Sequence, residues 1–314
     1  MKKVITVILL ASLLLLCGCT GRGTMEENDA NAPVTVEDKG RPTATDAPTT
    51  SAAVTSPLTG RPVLDEVSFS VPDPENTRGL PTAKIGHSYG VAKNGIVHDN
   101  SKNAQSFFES KGYRALCYDT TPGTKALYLT FDCGYENGYT PVILDTLKEA
   151  DVKAIFFVTQ TFIRDNPDLV KRMKEEGHMV GNHTITHPSL PGLSIEEQRA
   201  EIRGCADYMK EVTGYEMDPY IRPPKGEYSE RTLQLCEDMG YCTLFWSIAY
   251  LDYDVNNQPS PDYVLQHFDK YCHPGAMPLI HNVSSANTQA LPQLIRNLRE
   301  AGYRFGTVDE FCHF

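Results

Sequence analysis

Two histidines set four residues apart, His183 and His187 in Gly181-Asn-His-Thr-Ile-Thr-His-Pro188, are the first residues able to do chemistry. On one helical face such a pair can grip a single metal ion through imidazole nitrogens. The β-branched neighbours and the closing proline favour a single turn or tight loop instead. A lone His-x-x-x-His is a weak signal, and this one gains weight from following the strand-like segment 178–181. Asp132 ends an apolar run in Leu129-Thr-Phe-Asp-Cys-Gly134 and is followed directly by Cys133. A thiol in that place has three readings: nucleophile, metal ligand or bystander. His281 caps the apolar run 276–280, Arg222 opens Arg-Pro-Pro-Lys-Gly226, and Trp246 is the only tryptophan. Each has a bland alternative too: a satisfied core histidine, an N-cap, a structural turn, a core aromatic.

The elements that must position these residues follow from periodicity. The spacing predicts strands over 126–131, 154–158 and 178–181, and apolar segments around 220, 241–246, 276–281 and 304–308. Helices are expected over 101–112, 140–150, 229–239, 261–271 and 288–301. Asn166-Pro167 offers an N-cap and a first-turn proline to a helix closed by Gly177, with Leu169, Val170 and Met173 on one face. Ser194-Ile-Glu-Glu197 is a capping-box signature for a helix running to Gly214. About seven strand–helix repeats point to an α/β fold with a parallel sheet, closed or nearly closed into a barrel. In such barrels chemistry sits at the C-terminal strand ends, where Asp132, His183, Arg222, Trp246 and His281 all fall.

Outside that region the sequence reads differently. Met1-Lys2-Lys3 and the apolar run 4–16 form a signal segment, too short to span a bilayer. It ends Leu16-Cys-Gly-Cys19, which resembles a bacterial lipobox with Cys19 as the lipidated residue. Residues 20–62 have too few large apolar side chains to repay ordering and read as a disordered tether. Residues 63–125 are expected as an N-terminal extension packed on a domain spanning 126–314. The net charge of −11 argues against a nucleic-acid partner. With Cys17 and Cys19 set aside, seven cysteines remain, an odd number that leaves at least one thiol unpaired. The other six form as many as three disulfides or stay reduced. No Cys-x-x-Cys pair supports thiol-redox chemistry.

Taken together, TFDCG, HTITHP, IRPPKGEY, FWSIAYLDY and LIHNVS resemble, in order and interval, the five motifs of the polysaccharide deacetylases, the NodB-homology group or carbohydrate esterase family four. The resemblance covers about residues 125–314 and implies a distorted (β/α)7 barrel, a divalent metal, most simply zinc, and hydrolysis of an N-acetyl group on an amino sugar. Tyr135-Glu-Asn-Gly-Tyr139, Phe245-Trp-Ser and the run from His281 to Leu291 are similar to the muramic δ-lactam type, which acts on N-acetylmuramic acid in peptidoglycan. By that resemblance His183 and His187 hold the metal, Asp132 is the base, and Arg222 orients it. His281 is the acid and Asp252 holds it charged. Trp246, Pro224 and Tyr228 line the substrate site, with a backbone N–H near Tyr228 facing the oxyanion. The expected partner is a peptidoglycan glycan strand, met by a monomer that touches the membrane only through its lipid anchor, outside the cytoplasm.

Two departures from the family pattern stand out. Cys133 occupies a position where the family usually has a metal-binding aspartate and δ-lactam-type members typically have asparagine, so it is carried as a tentative third ligand or a spectator. Lys225 and Tyr253 replace a frequent arginine and tryptophan, which bears on glycan preference. The competing readings are a deacetylase of N-acetylglucosamine, in peptidoglycan or chitin-like oligomers, and a lipoprotein that binds glycan without hydrolysing it.

Overall fold

Short runs of branched and aromatic residues, each followed by a capped amphipathic helix, set the architecture. The computed structural model describes residues 73–312. The signal segment 1–19 with Cys19, the tether 20–62 and residues 63–72 of the expected extension lie outside the described residues. In chain order the elements begin with β1 (Ile85–Gly86), α1 (Asp99–Lys111), β2 (Ala115–Leu116), β3 (Ala126–Leu127), β4 (Thr130–Cys133) and α2 (Thr140–Glu149). Next come β5 (Ile155–Val158), α3 (Gln160–Asp165), α4 (Pro167–Glu175), β6 (Met179–Asn182), α5 (Ile195–Thr213), β7 (Tyr220–Ile221) and β8 (Glu227–Tyr228). The chain then forms α6 (Glu230–Asp238), β9 (Cys242–Leu244), α7 (Pro261–Tyr271), β10 (Leu279–His281), α8 (Ser285–Glu300) and β11 (Arg304–Phe305).

Seven strands make one sheet in the order β10-β4-β5-β6-β7-β9-β2, every neighbouring pair parallel. Isolated bridges from Tyr118 to Ala276 and from Ile248 to Pro278 draw the two edges toward each other, so the sheet curls into a nearly closed barrel. Strand alternation divides the core in two. Leu127, Leu129, Phe131 and Cys133 pack outward with Ile143, Leu144, Phe156 and Phe162 under the helices. Ala126, Tyr128, Ile155 and Phe157 pack inward with Tyr220, Leu244 and Met277. Inside this barrel floor the sulfurs of Cys242 and Cys312 lie 2.6 Å apart.

Most helix boundaries follow the local chemistry. Ser194 and Glu197 form both arms of a capping box at the start of α5, and left-handed Gly214 ends it. Ser229, Ser260 and Ser284 cap α6, α7 and α8 through hydroxyls that accept from backbone N–H groups. The Ser284 cap starts α8 three residues before the expected 288. Asn166 precedes Pro167 as expected, but its side chain donates back to the Phe162 carbonyl and does not cap α4. That bond serves α3, a short helix that the sequence pattern missed.

The larger difference is the seventh strand. The segment expected at 304–308 contributes only β11, which pairs with β3 in a separate two-stranded sheet. The sheet edge is β2 instead, within the segment expected as an extension, with Ala115 opposite Thr243 and Leu116 opposite Leu244. A two-residue ladder has no readable period, so only its long-range pairing identifies it. The extension also adds β1, antiparallel to β8.

Candidate active site

Register brings the candidate residues to one end of the barrel. His281 lies directly across from Asp132 on neighbouring β10 and β4. His183 follows β6, Arg222 follows β7 and Trp246 follows β9. The strand-end expectation holds for all five.

Arg222 is the hub. It is fully buried, yet its guanidinium donates to Asp132 Oδ1 at 2.7 Å, the Thr130 hydroxyl at 2.8 Å, and the carbonyls of Phe245 at 2.9 Å and Leu244 at 3.1 Å. Its Cζ also stands 4.3 Å from the Phe157 ring centroid. Burial by itself would raise the Asp132 carboxyl, but Arg222, His183 and His281 outweigh it and hold that carboxyl below its ordinary value. Asp132 is therefore an ionised carboxylate in a nearly dry place, aimed by a rigid bidentate-capable partner.

The loop from Asn182 to His187 is a tight turn, not a helix. Thr184 and His187 have φ of 69° and 59°, and Lys225 has 60°. Left-handed non-glycine residues carry strain, and three of the six among the described residues gather here. Glu201, from α5, compensates by accepting from the N–H groups of Ile185 and Thr186 at 2.9 Å each and from the Thr186 hydroxyl at 2.8 Å. Asn182 Oδ1 accepts from Thr184 N and the Thr184 hydroxyl accepts from His187 N. The result sets the two imidazoles 4.9 Å apart, centroid to centroid, with planes at 69°.

Whether these residues fit a metal can be tested on their hydrogen bonds. His183 Nδ1 lies 2.7 Å from the Arg222 carbonyl, which only accepts, so Nδ1 donates and Nε2 carries the lone pair. That Nε2 faces Asp132 Oδ2 at 3.5 Å. Two lone-pair atoms facing across such a gap repel unless a proton or cation lies between them. Burial pulls His183 down to about 4 and lowers His187 as well, leaving both neutral as ligation requires. The donor set fits a divalent cation held by two imidazoles. Among the described residues no three His, Cys, Asp or Glu side chains converge on one point.

Cys133 does not join them. As the last residue of β4 it packs with the outward core against α2 and α3, on the strand face opposite Asp132. Burial and the neighbouring Asp132 charge push its thiol well above the ordinary value, against the thiolate that a ligand or nucleophile needs. Its packing favours the spectator reading over the tentative ligand one.

On the other side, His281 Nδ1 lies 2.6 Å from Asp252 Oδ1, and His281 N donates to Asp252 Oδ2 at 2.8 Å. Asn287 Nδ2 also donates to Oδ2 at 2.6 Å, and the Tyr250 hydroxyl donates to Asn287 Oδ1. Burial would lower His281, but fully buried Asp252 reverses this and holds the imidazole above its ordinary value. An imidazole held toward its protonated form and a carboxylate across the register can give and take a proton on the two sides of one bound group.

The wall residues differ from expectation in part. Trp246 is 7% exposed, close above Gly226, where an added Cβ would fall 2.6 Å from the indole. Its indole N–H has no partner among the described residues. Pro224 is buried in the turn that holds Lys225. Tyr228 is corrected: its ring sits behind the wall with Phe108 and Phe245, and its backbone is registered against Ile85 in the β1–β8 ladder. Sequence reasoning missed Thr130, Glu201, Asn287 and His87. His87 stacks on Phe245 at 4.7 Å and reaches the Trp246 carbonyl with Nε2 at 2.8 Å.

The comparisons agree with this geometry. A family model described as polysaccharide deacetylase matches residues 119–244. The peptidoglycan-N-acetylmuramic acid deacetylase PdaA of Bacillus subtilis is 39% identical over 231 residues, 74% of this chain and 87% of that protein. The solved structure of Bacillus subtilis PdaA, described as a family 4 carbohydrate esterase, is 39% identical and superposes with a TM-score of 0.70 over 74% of this chain and 98% of that one. A peptidoglycan-N-acetylglucosamine deacetylase of Listeria monocytogenes is 35% identical over 186 residues, 59% of this chain but 38% of that protein.

Proposed function

This chain belongs to the polysaccharide deacetylase family, and from that premise we propose that it hydrolyses the N-acetyl group of N-acetylmuramic acid in peptidoglycan, releasing acetate. The observation that carries the chemistry is the pairing of an Arg222-held carboxylate, Asp132, with an Asp252-held imidazole, His281, directly across neighbouring strands. Identity of 39% along most of a relative named for muramic acid supports the sugar.

His183 and His187 would hold a divalent cation, for which zinc suits two nitrogen ligands, and when bound it supplies Lewis-acid polarisation of the acetyl carbonyl. Asp132 takes the proton of the attacking water, and Arg222 keeps that carboxylate ionised and pointed. His281 gives its Nε2 proton to the sugar nitrogen, which leaves poorly as an anion. Asp252 keeps His281 charged for that transfer. Trp246 walls the site beside Arg222. On the same reading Cys19 anchors the chain by lipid to the outer face of the membrane, and it works there as a monomer on wall glycan.

Peptidoglycan of known structure tests the proposal. Acetate release with deacetylated muramic residues supports it, and only deacetylation at muramic acid can lead to a δ-lactam. The Listeria relative favours a second reading, glucosamine as the deacetylated sugar. Linkage analysis of the product separates the two.

A further inference from the structure

Among the described residues nine large apolar side chains are exposed, and five of them are Tyr89 in the N-terminal segment and Leu251, Tyr253, Val255 and Tyr263 in the stretch that runs past Asp252, the partner of His281, into α7. Tyr253 is 56% exposed, and its ring meets His281 edge to face at 5.6 Å. Tyr263, 47% exposed, stands at the start of α7 with its ring 6.0 Å from that of buried Tyr250. Tyr89 arrives from the N-terminal segment. Its phenol is raised chiefly by burial, with the Tyr263 phenol and the Asp252 carboxylate close enough to add to the effect.

Both segments are held in place. Gln258 donates to the carbonyls of Asp252 and Asp254 and accepts from the Ser284 hydroxyl, bracing the loop that carries Tyr253. On the other side β1 pairs with β8, and His87 bonds the Trp246 carbonyl two residues before Tyr89. Gly90 lets His98 pack against the backbone there, since an added Cβ would sit 2.0 Å from its ring nitrogen. Exposed aromatics gathered at a catalytic rim on braced segments mark a binding surface, not random exposure.

We propose that Tyr89, Tyr253 and Tyr263 form a glycan subsite that grips sugars of the strand beyond the one being deacetylated. A pyranose ring has an apolar C–H face and a hydroxyl edge, and each tyrosine answers with an apolar face and a phenol. The surface continues from His281, where the reacting sugar must lie, so the same strand is its occupant. All three tyrosines lie outside residues 119–244, the part of the chain that the family model matches.

The inference rests on the proposed glycan substrate, and two measurements keep the failures apart. Binding of peptide-free glycan strands, fractionated by length, is measured on the Asp132→Asn chain with and without Tyr89→Ala, Tyr253→Ala or Tyr263→Ala. Turnover of the same fractions is measured on the otherwise native chain. Long strands should bind and show lower KM than a disaccharide, and each alanine should reduce that advantage about three- to tenfold while phenylalanine retains most of it. An unchanged long-to-short ratio in all three alanine variants overturns the subsite. Absence of acetate release with length-dependent, tyrosine-dependent binding overturns the activity and leaves the subsite standing.

Discussion

Replacing Arg222 by methionine keeps the volume and apolar stem but deletes every donor at the centre of the site. Asp132 loses its 2.7 Å partner, and the carbonyls of Phe245 and Leu244 lose theirs. Removing one member of a buried pair costs about 3–5 kcal/mol because the other charge is left uncompensated. Against a total stability on the order of 5–15 kcal/mol, that is a severe loss. Adding Asp132→Asn removes the stranded charge, so the double variant should recover about 1–3 kcal/mol relative to additivity. Urea unfolding followed by Trp246 fluorescence and by far-ultraviolet circular dichroism reads this directly, since Trp246 is the only tryptophan. The sign with pH is also fixed. In the parent, Asp132 titrates below its ordinary 3.8, so its contribution is complete above that value and fades as pH falls further. In Arg222→Met the unpartnered carboxylate prefers its proton, so mild acid should restore stability. A single variant within about 1 kcal/mol of the parent, or strictly additive losses, would refute the hub assignment.

Other expectations follow from the same contacts. Asp252→Asn should lower kcat about 10- to 100-fold, the worth of one charge-assisted hydrogen bond, and move the alkaline limb of the pH–rate profile downward because His281 loses what holds its proton; an unmoved limb contradicts the acid assignment. Cys133→Ser should leave zinc affinity, measured by calorimetry, unchanged, whereas His183→Ala should abolish it; a weakened Cys133→Ser would return the sulfur to the ligand set. His87, His178 and His267 are each lowered by burial to about 4, so the unfolded chain binds protons that the folded chain refuses. Stability should therefore fall as pH drops from 6.5 toward 4, by up to about 1.4 kcal/mol per pH unit for each histidine. A flat profile across that window would contradict their neutral burial.

What the sequence made legible was what is local. The capping box at Ser194 and Glu197, the spans of α6 and α7, and the strand-end positions of Asp132, His183, Arg222 and His281 are all readable within a few residues. Asp252 and Arg222 came from the motif resemblance and land on their expected partners. What escaped depends on distant partners or on strand parity. β2 exists only through its pairing with β9, more than a hundred residues later. Glu201 and Asn287 are ordinary helix residues until the fold sets them against a strained loop and a buried carboxylate. Of the two readings left open for Cys133, ligand and spectator, its packing in the core favours the spectator, and the chain alone could not show that packing.

The central claim is that Asp132 moves the proton in deacetylation of muramic acid. Acetate release from peptide-free peptidoglycan strands, with mass and linkage analysis of the product, should be measured for the parent and for Asp132→Asn loaded with zinc. The account predicts deacetylated muramic residues from the parent, and from the variant retained zinc binding with turnover reduced at least about a hundredfold. Near-parent turnover by Asp132→Asn, or acetate lost only from glucosamine, would contradict it.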